Sequence, residues 1–416
     1  MFESNFIRKY EIWLFYVYIP TSYFFLKTPF ILCLVAFKTK GTMTTITISK
    51  TELLNRLLSV SKIISPKNTL PIMDNILLDI QNGAINISAA DYAGRMNTSI
   101  EGVLIDNDIS ICIEPKKIIE ALKALPEQPI TITFGDKLEI TIKYKGGKFE
   151  MTGLSPAEYP KEKDIEGATK FVISSKLLLN GLDKTSFCSA NDELRPIMNG
   201  VYFDITTGQI NFVASDGHKL ALLEHTDSSI SETISFVLPQ KIANILKNNL
   251  TLTGELVEIF IKDRFVRIEY KSDSSIEATL IEGRYPNYRS VIPSNNDKFL
   301  SIGKSDLNGA LKRVSVFANP ASSLVKLELT NNEILVSAQD IDYSVAADET
   351  VPCEYNNDSM AIGFKGHFLT ELISAIPTSN LQMSFSDPSR ATLITPVDDK
   401  SEDKLVYLLM PMMLNN

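Results

Sequence analysis

The segment Leu70-Pro-Ile-Met-Asp-Asn-Ile-Leu-Leu-Asp-Ile, running on to Ile85-Asn-Ile-Ser-Ala-Ala-Asp91, returns as Arg195-Pro-Ile-Met-Asn-Gly-Val-Tyr-Phe-Asp-Ile, running on to Ile210-Asn-Phe-Val-Ala-Ser-Asp216. A fainter third copy begins at Leu324-Val-Lys-Leu-Glu-Leu and ends at Ile334-Leu-Val-Ser-Ala-Gln-Asp340. The closing aspartates stand 125 and 124 positions apart, and Tyr159-Pro160, Tyr285-Pro286 and Met410-Pro411 keep the same period. A fixed period makes the chain a tandem array of one folding plan, which excludes a single large core.

Each copy carries two helical patterns. Lys50–Ile64, Ser175–Ala190 and Ser305–Ala318 open the copies, and a second set, Pro115–Leu125, Pro239–Asn249 and Gly366–Ile376, follows a Pro or Gly suited to a helix start. Alternating runs such as Ile76-Leu-Leu-Asp-Ile, Ile130-Thr-Ile-Thr-Phe, Leu138-Glu-Ile-Thr-Ile and Val257-Glu-Ile-Phe-Ile read as half-buried strands. The helices have one apolar side, as in Ile118, Ile119, Leu122 and Leu125, that would pack on a sheet. The expected fold is α+β, with three similar domains of two helices each on antiparallel sheets. The expected division is 1–42 as an extension, then 43–170, 171–295 and 296–416.

Residues 1–42 hold 12 of the 36 aromatic residues, including Trp13, and differ in composition from the rest of the chain. Their longest apolar run, Phe30 to Phe37, is far short of the roughly 20 residues that a bilayer span needs. Pro20 and Pro29 break the apolar stretch that a signal peptide requires. The reading favoured over a targeting or membrane role is a start at Met43, with the preceding segment disordered or untranslated. Cys33, Cys112, Cys188 and Cys353 stand far apart with only three histidines, which points to a reducing, cytoplasmic setting without a disulfide framework or zinc knuckle.

Charge is distributed unevenly. Lys and Arg outnumber Asp and Glu on five of the six helical segments, with a summed charge of about +8 against −9 for the whole chain. A charge run on one helix is commonly a solvated face. If three equivalent domains turn their helices to one side, however, the cations form a surface that attracts a polyanion through phosphate contacts without sequence choice.

Catalytic constellations are sparse. Asp216-Gly-His218 puts an acid near a histidine, but no G-x-S-x-G nucleophile accompanies it, and a turn after a strand is the simpler reading. Gly146-Gly147 lacks a phosphate-loop context. The expectation is a protein with no active site and no cofactor. A hydrolase would need a clustered acid and base, and a scaffold that binds only proteins would have no need of cationic helices.

From Met43 to Asn416 the chain resembles the bacterial beta sliding clamps, the processivity subunits of DNA polymerase III. The resemblance is carried by Thr69-Leu-Pro-Ile, Arg195-Pro-Ile-Met-Asn-Gly, Ala214-Ser-Asp-Gly-His-Lys-Leu-Ala, Glu282-Gly-Arg-Tyr-Pro-Asn-Tyr and Tyr407-Leu-Leu-Met-Pro-Met, in that order. It implies a DNA-clamp fold in which each chain is half of a ring. Two chains would close head to tail around duplex DNA, helices inside, and tether the replicative polymerase at high effective concentration.

The resemblance also implies two sets of site residues. DNA-facing candidates are Arg56, Lys67, Lys116, Lys117, Lys123, Arg195, Lys241, Lys247, Lys312 and Arg313. A peptide groove between the second and third domains would comprise Met198, Ser215, Gly217, His218, Lys219, Leu220, Pro286, Val291, Leu408, Met410, Pro411 and Met412. The polymerase III alpha subunit, the clamp loader, and other polymerases and repair proteins would dock there through a motif near Gln-x-Leu/Ser-Leu-Phe. Methionines suit such a groove because the thioether adapts to varied partners. Met413, Ser290, Lys365 and Phe368 depart from the family pattern, where arginine, arginine, asparagine and tyrosine are common. The polar half of recognition is therefore expected to differ.

Overall fold

The computed structural model describes residues 43–66, 68, 70–105, 107–228, 230–231 and 233–414. The expectation for residues 1–42 and that for Lys67 fall outside the described residues.

The repeat is visible as a recurring order of elements. The first copy runs β1 (Thr44–Ser49), α1 (Lys50–Ser61), β2 (Ile76–Gln81), β3 (Ala84–Ala90), β4 (Gly94–Glu101), β5 (Ile109–Ile113), α2 (Pro115–Ala124), β6 (Pro129–Phe134), β7 (Glu139–Tyr144) and β8 (Gly147–Thr152). The second runs β9 (Thr169–Ser174), α3 (Ser175–Thr185), β10 (Gly200–Thr206), β11 (Gln209–Ser215), β12 (Lys219–Thr226), β13 (Ile234–Pro239), α4 (Gln240–Lys247), β14 (Leu256–Lys262), β15 (Phe265–Tyr270) and β16 (Ser274–Thr279). The third runs β17 (Lys298–Gly303), α5 (Lys304–Val314), β18 (Leu324–Thr330), β19 (Glu333–Asp340), β20 (Val345–Pro352), a short β21 (Glu354–Tyr355), β22 (Met360–Lys365), α6 (Gly366–Ala375), β23 (Asn380–Phe385), β24 (Thr392–Pro396) and β25 (Lys404–Leu409).

Local chemistry accounts for most of these boundaries. In β1, Thr44, Ile46 and Ile48 point inward while the intervening residues do not, as a two-residue period requires. Pro115 occupies the first position of α2, where its missing N–H costs no helical bond. The Ser174 hydroxyl accepts from Leu177 N at 3.2 Å and caps α3. Leu138, expected within a strand, instead has φ 64° in the turn before β7. The first helices of the second and third copies are also shorter than expected, each ending in a separate tight turn, Ser186–Cys188 and Ser315–Phe317.

The chain forms two compact units. One comprises the described residues to Leu57, Leu77–Ile87 and Ile100–Tyr159. Its four-stranded sheet has the order β1-β6-β7-β8, and Ile46, Ile48, Leu53, Leu57, Ile118, Leu122, Ile132 and Phe134 form its core. The other comprises Leu58–Ile76, Ser88–Ser99 and Pro160 onward. It holds a nine-stranded sheet ordered β13-β10-β11-β12-β25-β24-β23-β17-β21, a run ordered β4-β16-β15-β14-β9, and a four-stranded sheet ordered β20-β19-β18-β22.

Two seams in this second unit join repeat copies through continuous antiparallel pairing, which leaves fewer open strand edges. At one, β16 pairs with β4, Ile276 opposite Met96. A Cβ on Gly94 would overlap the Glu277 carbonyl oxygen there, so only glycine permits this approach. At the other, β12 pairs with β25, placing Lys219 opposite Leu409 and Leu220 opposite Leu408. Within this unit α3 packs on α4, and α5 on α6.

Candidate functional site

The helix cations divide into free and committed groups. Lys116 and Lys123 on α2 and Lys312 on α5 are exposed and have no carboxylate partner among the described residues. Lys176 on α3, absent from the expected contact set, is equally exposed and has no carboxylate partner among the described residues. Arg56 on α1 is half-buried. Lys117 pairs with Glu114 at 2.8 Å, and Arg313 grips Glu349 through two guanidinium nitrogens, which holds Glu349 below its ordinary range. Lys247 pairs with Asp183 at 3.2 Å.

Lys241 and Lys50 depart furthest from a free cationic face. Lys241 Nζ donates to Ser65 Oγ at 2.8 Å, to the Ile63 carbonyl and to the Asp91 carboxylate, whose side chain is fully buried. Lys50, counted among the α1 cations, is itself buried. The last helix, α6, carries Glu371 and neither lysine nor arginine. Lysine or arginine thus stands on five of the six helices, and part of that charge is neutralised internally.

The aspartates that close each repeat perform one local task. Asp91 Oδ1 accepts from Ala93 N and Gly94 N, Asp216 Oδ1 from His218 N and Lys219 N at 2.8 and 2.9 Å, and Asp340 Oδ1 from Asp342 N at 3.1 Å. Each carboxylate ties the turn after a strand, the Asx geometry that short acidic side chains favour. Asp216-Gly-His218 is therefore such a turn, and Gly217, at φ 90°, takes a conformation that other residues adopt only with strain. Arg195 leans over this turn. It pairs with Asp192 at 2.8 Å, which lowers the Asp192 pKa, and its Nη2 donates to the Asp216 carbonyl at 3.4 Å. It therefore lies beside the expected peptide residues.

Around the turn the apolar candidates separate by exposure. Leu220 and Leu408 are cross-strand partners buried in one cluster with Val213, Leu222, Val237, Tyr285 and Tyr288, and Met198 is buried as well. Of the other candidates, Val291 is 55% exposed and Met410 42%, with Pro286 exposed and Pro411 and Met412 half-buried. Met410 N donates to the His218 carbonyl at 2.8 Å, and Met412 bridges to Gly363 in β22. The buried residues thus form an apolar floor, and the exposed ones include the flexible Met410.

Tyr202, Tyr288 and Glu371 of this surface escaped sequence reasoning. Tyr202 stacks on Tyr285 at 4.5 Å and supports the floor, and the Tyr288 hydroxyl donates to Asp204 at 2.6 Å. Burial first, and that bond second, push the Tyr288 pKa up. Lys219 is only 5% exposed. Its ammonium pairs with Glu371, donates to the Phe187 carbonyl at 3.0 Å and lies 4.9 Å from the Phe368 ring centre. The Tyr-Pro landmark marked Tyr285, whereas nothing in the sequence pairs Lys219 with Glu371.

Comparison with known proteins gives a consistent result. Family models for the DNA polymerase III beta subunit match along the chain: the N-terminal domain at residues 44–163, the central domain at 172–287 and the C-terminal domain at 289–413. The beta sliding clamp of Haemophilus influenzae is 26% identical over 368 residues, spanning 88% of this chain and 99% of that protein. That of Treponema pallidum is 28% identical over 370 residues, spanning 87% and 98%. In fold, the chain resembles the Bacillus subtilis DNA polymerase sliding clamp, with a TM-score of 0.83 at 24% identity over 90% of this chain and all of that one. A Pseudomonas aeruginosa sliding clamp bound to griselimycin gives a TM-score of 0.83 at 24% identity over 89% of this chain and all of that one. With three matching models covering most of its length, the chain belongs to the DNA polymerase III beta subunit family, the bacterial beta sliding clamps of DNA replication.

Proposed function

We propose that two copies of this chain close head to tail into a ring that encircles duplex DNA without reading its sequence and tethers the replicative polymerase. The domains of this reading are 43–170, 171–295 and 296–416. The observation that carries it is the set of exposed helix lysines with no carboxylate partner among the described residues, Lys116, Lys123, Lys176 and Lys312, in a chain of net charge −9. Such a distribution favours a polyanion at the helices and disfavours it elsewhere.

Ring closure has support from strand edges. The eight-residue β20 is an outer strand of its sheet, and Val316, Phe317, Ile341, Tyr343 and Val345 expose apolar surface on or near it. An exposed apolar edge of this kind is a surface for pairing with another chain. In the other compact unit β8 is also an outer strand and carries Lys148, whereas β20 carries Asp348 and Glu349. One copy's β8 against another's β20 would make a head-to-tail contact that closes after two copies, with Lys148 and Glu349 already paired within the chain to Glu150 and Arg313.

The second element of the proposal is peptide docking over Leu220, Leu408, Val291 and Met410. The polymerase III alpha subunit, the clamp loader, and other polymerases and repair proteins would insert an apolar motif there. The chain would act in the cytoplasm as a processivity factor with no active site of its own, opened by the loader's ATP hydrolysis.

The test is topological. The chain is loaded by its clamp loader and ATP onto nicked circular DNA, freed of unbound protein, and the DNA is then linearised. Retention on circles in high salt with release after linearisation is the expected result. Equal retention on both forms, or salt-dependent loss from both, would replace the ring with an ordinary binding surface.

A further inference from the structure

The peptide groove proposed above has a second part, built where the Asp216–Lys219 turn meets the start of α6. The ring of Phe368 is its centre. Lys219 Nζ lies 4.9 Å from the ring centroid, Lys365 Nζ 5.2 Å, and the His218 ring stacks at 6.1 Å, with His367 edge-on at 4.3 Å. Two ammonium groups near one aromatic ring are held by its quadrupole without being neutralised.

The local charges are unequally matched. Glu371 is paired with the buried Lys219 ammonium, whereas Asp216 accepts from the N–H groups of His218 and Lys219 and keeps its charge. Lys365 has the Phe368 ring and no carboxylate partner among the described residues. It is half-buried, so its charge is less screened than that of a surface lysine. The His367 pKa is lowered by burial first, then by Lys365 and Lys219, with Glu371 and Asp216 opposing. Through the Met410 N to His218 carbonyl bond, the cluster is contiguous with the exposed apolar residues of the groove.

We infer that Lys365, set on the Phe368 ring beside His218 and His367, selects a partner peptide that carries a carboxylate next to its apolar anchors. This rests on the groove reading above and adds to it a preference in charge. A carboxylate seated here gains a charge-assisted contact with Lys365. A lysine or arginine in the same place meets an unmatched cation.

The experiment is fluorescence anisotropy of the full chain with synthetic hexapeptides that share Leu and Phe anchors. Asp or Asn is placed in turn at each remaining position. At 50 mM salt one Asp peptide is expected to bind about fivefold more tightly than its Asn counterpart, the size of one partly exposed charge pair, and to lose this advantage at 500 mM. Lys365 is the N-cap of α6, a position where asparagine is favourable, so Lys365→Asn is expected to fold normally and to bind both peptides with the affinity of the Asn form. Lys365→Arg should keep the preference. Equal binding of every Asp and Asn pair, or a preference that survives Lys365→Asn, would overturn the inference while leaving the groove in place. Failure of all peptides to bind would remove the groove itself.

Discussion

The ammonium of Lys241 is held against the fully buried carboxylate of Asp91, with Ser65 and the Ile63 carbonyl completing its contacts. An expected DNA contact is thus a structural tie between the first two repeat copies. Removing one partner of a buried pair strands the other charge, typically at about 3–5 kcal/mol. Lys241→Ala is expected to lose stability near the lower end of that range, because Lys241 remains partly exposed. Adding Asp91→Asn should restore part of the loss. Chemical denaturation measures both, and a loss below about 0.5 kcal/mol, the ordinary effect of a surface change, would show that the pair is dispensable.

The free cations should behave in the opposite way. Replacing Lys116, Lys123, Lys176 and Lys312 together by alanine breaks no ion pair among the described residues, so each should change stability by no more than about 0.5 kcal/mol. DNA-dependent stimulation of the polymerase is expected to fall, while peptide binding stays the same. Unchanged stimulation would favour a scaffold that binds only proteins.

The apolar residues near β20 give a third expectation. Val316 and Phe317 are exposed in the tight turn after α5, so Val316→Asp with Phe317→Asp leaves the core intact and adds charge to the proposed subunit contact. Sedimentation should show the unaltered chain as a dimer and the variant as a folded monomer. A monomeric unaltered chain would contradict the head-to-tail contact.

His367 supplies a pH dependence with a definite sign. Its folded pKa lies below 6.5, chiefly through burial and then through Lys365 and Lys219, so the unfolded chain binds the proton more readily. Stability contributed by neutral His367 is complete above about pH 6.5 and declines as pH falls through that value toward the folded pKa. Thermal melts between pH 7.5 and 5 should show a smaller loss for His367→Gln than for the unaltered chain. Parallel curves would mean that other groups carry the dependence.

The sequence was legible wherever the physics is local. The repeat appeared as recurring β and α elements because alternation, apolar helix faces, and Pro115 or Gly366 at helix starts act over a few residues. The turn at Asp216 was readable for the same reason, since its carboxylate accepts from N–H groups two and three positions away. Leu138 was misplaced because its apolar side chain continues the strand pattern while its backbone makes the turn.

Sequence by itself therefore determined the three-copy plan, the helix and strand positions, the acidic net charge and the family. Tertiary structure decided which charges are available. Lys241 meets Asp91 across 150 positions and Lys219 meets Glu371 across 152, while Lys116, Lys312 and Lys365 find no carboxylate among the described residues. Pairing depends on where folding places distant side chains and on the cost of leaving a buried charge alone, and neither is written in local spacing.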